Sequence, residues 1–140
     1  MARYYRRKPT RKAVKPRNTS PLEADEQSLL FQWAEYAVCT YPELETMYHI
    51  GNGGFRNKIE ASHLRQQGLK PGVPDICLPV PRGGYGALYI ELKRRKGGRV
   101  SEVQKNFIAL LNKYGNRAVV CKGFDEARQE IESYLNSGKG

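Results

Sequence analysis

Residues 74–93 read Pro74-Asp75-Ile76-Cys77-Leu78-Pro79-Val80-Pro81-Arg82-Gly83-Gly84-Tyr85-Gly86-Ala87-Leu88-Tyr89-Ile90-Glu91-Leu92-Lys93, and the fold turns on this stretch. Two apolar runs, 74–80 and 87–93, are joined by the turn-forming residues 81–86, a pattern that predicts a β-hairpin. Side chains alternate along a strand, so Leu88, Ile90 and Leu92 share one face and Tyr89, Glu91 and Lys93 the other. Each charged position has an ordinary explanation by itself. Pro-Asp is a turn dipeptide, and two charges on one strand face suit the wet side of an antiparallel sheet. Together they say more: a hairpin of this length brings Asp75 close to Glu91, so two carboxylates and the Lys93 amine converge on adjacent strands.

Working outward, Ser101-Glu102-Val103-Gln104 is a capping-box pattern that opens a helix ending near Tyr114-Gly115. A strand is expected over Arg117–Cys121, and Asp125 is expected to cap a last helix running to about Leu135. On the N-terminal side, Ser20-Pro21-Leu22-Glu23 reads as N-cap, first helical position and capping-box acid. Leu22, Leu29, Leu30, Trp33 and Ala37 follow at helical spacing. A short strand over Thr46–Ile50 leads into the turn Gly51-Asn52-Gly53-Gly54. Asn57 to Gln67 then reads as a helix closed by Gly68. The expected order is helix, strand, helix, strand, strand, helix, strand, helix, without internal repeats. Such a series predicts an α/β fold, a small mixed sheet covered by helices.

Glu26 breaks the first helix's pattern, because it falls among the apolar positions. It is either a rim residue or a buried carboxylate, and a buried one needs a partner, a metal or water.

The chain has 140 residues, enough for one domain with its own core. Its three cysteines, Cys39, Cys77 and Cys121, are scattered, which argues against a disulfide framework or zinc ribbon and favours a reducing, cytoplasmic setting. No apolar run is long enough for a membrane span, and no signal-peptide core is expected at the N-terminus. The net charge is +10, from 24 Lys and Arg against 14 Asp and Glu. Arg3, Arg6, Arg7, Lys8, Arg11, Lys12, Lys15 and Arg17 all lie in residues 1–20, which contain no acid. That segment reads as a flexible basic arm for nucleic-acid phosphates, or as a solubilising or localising tail. Residues 21–137 form the expected folded domain.

The Asp75–Glu91–Lys93 grouping suits phosphodiester cleavage. Two carboxylates offer hard oxygen ligands to magnesium, which takes few protein ligands and keeps its waters. A nearby lysine stabilises charge developing on phosphate. No phosphate-loop motif for a nucleotide cofactor is present, nor a nucleophile elbow.

Pro74-Asp75 followed by Glu91-Leu92-Lys93 resembles the PD-(D/E)XK nuclease superfamily. Glu26-Gln27, Asn52-Gly53-Gly54, Gly72-Val73-Pro74-Asp75, Ile90-Glu91-Leu92-Lys93 and Ser101-x-x-Gln104 are similar to one branch of it, the VRR-NUC (virus-type replication-repair nuclease) family, over about residues 22–135. The resemblance implies a restriction-endonuclease-like core and a DNA nuclease dependent on Mg2+ or Mn2+. It implies that Asp75, Glu91 and the Leu92 backbone carbonyl hold the metal, with Glu26 completing the site from the first helix. Lys93 would be the catalytic lysine and Gln104 a supporting residue. His49 stands where the family usually has a proline, and reads as a strand terminator or a phosphate contact. Stand-alone members resemble Holliday-junction resolvases, which implies a homodimer acting on branched DNA in a bacterial or phage-infected cell. Arg94, Arg95, Lys96 and Arg99 form a second basic cluster suited to the DNA backbone. The competing readings are a nickase, an exonuclease, or a non-catalytic nucleic-acid-binding protein.

Overall fold

A computed structural model describes residues 22–51 and 58–138. The basic arm, with Arg3, Arg6, Arg7, Lys8, Arg11 and Lys12, and the Asn52-Gly53-Gly54 turn lie outside the described residues. The elements run α1 (Glu23–Ala37), a 3-10 turn (Pro42–Thr46), β1 (Tyr48–His49), α2 (Lys58–Gln66), β2 (Ile76–Leu78), β3 (Leu88–Lys93), α3 (Glu102–Lys113), β4 (Arg117–Lys122) and α4 (Phe124–Asn136). This is the order expected from the sequence, with the 3-10 turn added.

The sheet order is β1-β2-β3-β4. β1 and β2 are antiparallel, β2 and β3 form the expected hairpin with Ile76 opposite Ile90, and β3 and β4 are parallel. The mixed sheet follows from chain lengths: a short Gly-rich turn permits only an antiparallel return, whereas α3 supplies the crossover that a parallel pair requires.

Leu88, Ile90 and Leu92 belong to the core with Leu30 and Ala34 of α1 and Ala127, Ile131, Tyr134 and Leu135 of α4. The polar face of β3 is met by α3, whose Gln104 bonds Glu91. Asn112 of α3 clips edge strand β4 by pairing both its amide groups with the Ala118 backbone, at 3.0 and 2.8 Å.

Two helix starts differ from expectation. α1 begins at Glu23 with Leu22 at its N-cap, and it is Asp25 that reaches back to the Leu22 N–H at 3.3 Å. Its buried stripe is Glu26, Leu30 and Ala34, while Leu22 and Leu29 are exposed. α4 is capped at Gly123, not by Asp125, which lies in its first turn. Gly123 has φ +86°, and a Cβ there would sit 2.6 Å from Arg95 Cγ, so both conformation and space select glycine.

Candidate active site

Asp75 is placed by a mismatch in strand length. β2 begins at Ile76, so Leu92 has no residue of β2 opposite it. Its N–H donates instead to Asp75 Oδ2 at 3.0 Å. The Asp75 backbone carbonyl accepts from the Ile50 N–H at 2.6 Å and from the His49 ring at Nδ1, 2.9 Å away. A carbonyl only accepts, so His49 carries its proton on Nδ1 in this arrangement. Side chain and backbone of Asp75 are thus fixed from opposite directions.

Glu91 points from the middle of β3 and is 2% exposed. Its Oε1 pairs with Lys93 Nζ at 3.2 Å and accepts from Gln104 Nε2 at 2.9 Å. Lys93 lies two residues on, hence on the same strand face. Gln104 has two tasks. Its Oε1 accepts from the Ser101 N–H at 2.9 Å, and its N–H donates to Ser101 Oγ at 3.2 Å, closing the capping box. The amide nitrogen left over holds Glu91. The helix cap therefore orients the amide for the carboxylate.

The electrostatics are those of a site short of positive charge. Glu91 is pushed up to about 7 by burial first and by the Asp75 charge next, with Lys93 opposing. Asp75 is also raised, mainly by burial, against the pull of the Leu92 N–H and of Lys93. Glu91 Oε2 is buried without a hydrogen-bond partner. An unpartnered buried acceptor beside a second carboxylate is a costly arrangement for a protein to keep without a ligand. A divalent cation removes that cost, and two carboxylates suit magnesium, which demands few protein ligands. Among the described residues no cluster of three or more Asp, Glu, His or Cys side chains forms a metal-holding group. The residues that could hold a metal here are the two carboxylates Asp75 and Glu91.

Glu26 is not brought into this group. It is fully buried, which decides between the two placements its position left open, but other partners hold it. Oε2 accepts from the Phe124 N–H at 2.6 Å, at the start of α4, and Arg95 Nε approaches Oε1 at 2.9 Å as an ion pair without hydrogen-bond alignment. A carboxylate at a helix N-terminus meets unpaired N–H groups and the positive end of the helix dipole. Arg95 extends the pairing to Asp125 at 3.7 Å. Of the basic cluster after β3, then, Arg95 is tied inward. Lys96 and Arg99 are exposed in the same turn region, and Arg94 is half-buried beside Gly97.

His49 is the residue whose placement the sequence left open. Its distance from Asp75 in the chain hides their contact, which arises because β1 pairs with β2 in the register His49–Ile76. Knowing that pairing alone would have set His49 beside Asp75.

The VRR-NUC domain model matches residues 23–125. A solved structure described as a VRR_NUC domain protein is similar to this chain with 28% sequence identity and a TM-score of 0.75, over 85% of this chain and 92% of its own. Comparison with curated proteins gives no match.

Proposed function

Because the chain belongs to the VRR-NUC family, nucleases of the PD-(D/E)XK type, we propose that it is a metal-dependent DNA endonuclease that selects branched DNA such as Holliday junctions. The observation that carries the nuclease reading is the grouping at Glu91, whose Oε1 is held by Lys93 and Gln104 while its Oε2 stays buried and unpartnered, with the Asp75 charge close enough to raise it.

In hydrolysis a water oxygen bonds to phosphorus, one bridging P–O bond breaks, and the departing oxygen leaves as an alcohol. Asp75 and Glu91 would hold a Mg2+ or Mn2+ ion, which would supply Lewis acidity and charge neutralisation to that reaction. The Leu92 N–H fixes Asp75, and Gln104 fixes Glu91, so both carboxylates are oriented before substrate arrives. Lys93 holds an ammonium group on the same strand face as Glu91, where it offers donors and positive charge to a phosphate gaining negative charge. Arg94, Lys96 and Arg99 follow directly in the chain, in position to hold the DNA backbone beside the cut.

The branched-substrate reading rests on the likeness of members of this family to Holliday-junction resolvases. A homodimer would place two such sites on the two strands of a junction. The three cysteines, all free thiols, suit a reducing cytoplasm. The test is cleavage of labelled four-way junction, duplex and single-stranded DNA in Mg2+, with the mass of the protein–DNA complex measured alongside. Paired symmetric nicks in the junction and a two-protomer complex support the proposal. Equal cutting of all three DNAs removes the junction preference while keeping the nuclease.

A further inference from the structure

A cavity of about 260 Å³ opens beside the catalytic group, between the end of α2 and the start of α3. Asp75 and Gln104 border it, so it is continuous with the carboxylate site. Leu69 and Val103 give it apolar lining, and Arg65 and Lys70, both exposed, add two positive charges. The approach of its two sides is tight. Gly72 has φ +84°, and a Cβ there would sit 2.6 Å from the Val103 carbonyl oxygen, so the loop before Asp75 rests directly on the first turn of α3.

Resting on the nuclease reading above, we propose that this cavity takes one unpaired nucleobase of the strand being cut, next to the scissile phosphate. A surface that only tracks phosphates needs positive charge and has no use for apolar walls. Here both occur together, and the combination suits a nucleotide, whose base has an apolar face and whose flanking phosphates are anionic. The space of about 260 Å³ is ample for a single base, and a base in an intact duplex reaches such a pocket only by leaving the stack. Branch points and single-stranded ends supply such nucleotides without that cost. The cavity thereby ties substrate choice to the immediate neighbourhood of the metal carboxylates.

The test is binding, so that it stands apart from cleavage. A thymidine oligonucleotide and an abasic oligonucleotide of equal length and charge are titrated in EDTA against the wild type, Val103→Trp and Arg65→Ala. Val103 is half exposed in the first helical turn, so a tryptophan fills the cavity without entering the core. The wild type should bind the thymidine strand about ten-fold more tightly than the abasic one, in line with typical base-stacking contributions. Val103→Trp should lose that ratio, and Arg65→Ala should weaken both oligonucleotides equally and keep it. A wild-type ratio near one, or a ratio unchanged in Val103→Trp with its thermal stability intact, overturns the proposal. Loss of cleavage in a separate assay would instead count against the nuclease reading.

Discussion

Glu91→Gln should make the metal-free protein more stable while abolishing its response to metal. The folded state raises the Glu91 carboxyl from its ordinary 4.5 to about 7. Because the shift is upward for an acid, the sign runs opposite to that of a salt-bridged carboxylate. Above pH 7 the folded protein holds a charge that the unfolded chain holds more cheaply, and this penalty fades as pH falls from about 7 towards 4.5. Each unit of such a shift corresponds to about 1.4 kcal/mol. The ceiling is therefore about 3 kcal/mol at pH 8, the opposing attraction to Lys93 being already contained in the shift. Glutamine keeps an oxygen for the Gln104 N–H and for Lys93 but carries no charge to repel Asp75. In EDTA at pH 8 the variant should melt several degrees above the wild type, since 1 kcal/mol corresponds to about 4 °C in a domain of this size. The wild type should gain stability on going from pH 8 to pH 5.5, and the variant should gain less. With Mg2+ added at pH 8, only the wild type should rise. A variant that melts below the wild type in EDTA, or that still rises with Mg2+, refutes the reasoning.

Gln104→Ala removes one half of the α3 capping box and one donor to Glu91, so it should lower stability by about 1 kcal/mol and reduce cleavage beyond that loss, as single-turnover rates at saturating metal would show. Glu26→Gln should destabilise the fold by about 1 kcal/mol by weakening the α4 cap, Arg95 keeping water and Asp125 as partners, yet leave the Mg2+-induced rise in melting temperature in place; loss of that rise would return Glu26 to the metal site. Deleting residues 2–17 should weaken DNA binding and flatten its dependence on salt, measured by titration at several ionic strengths, with no change in metal binding.

The parts of the site that follow from local rules were legible in the sequence. Alternation along β3 put Glu91 and Lys93 on one face, the Gly-rich turn forced the antiparallel return that carries Asp75 to Leu92, and the Ser101–Gln104 spacing gave the capping box. What stayed hidden depends on distant packing. Glu26 was legible as a carboxylate out of place, with a rim and a buried position both open, but its acceptor role at the start of α4 joins residues 98 apart in the chain. The apolar stripe of α1 was expected through Leu22, Leu29, Leu30, Trp33 and Ala37, but the buried one runs through Glu26, Leu30 and Ala34 and leaves Leu22 and Leu29 exposed. His49 reaches Asp75 only through the β1–β2 register, which two-residue β1 does not advertise by periodicity.

Asp75, Glu91 and Lys93 are proposed as one metal-dependent site for phosphodiester hydrolysis. Single-turnover cleavage of end-labelled DNA by the wild type and by Lys93→Met, each in Mg2+ and in EDTA, tests it most directly, since methionine keeps the bulk of the buried stem and removes the charge. The wild type should cut only with Mg2+, and Lys93→Met should cut about 10²–10³-fold more slowly while binding DNA and metal. Cleavage by the wild type in EDTA, or an unchanged rate in the variant, would contradict the account.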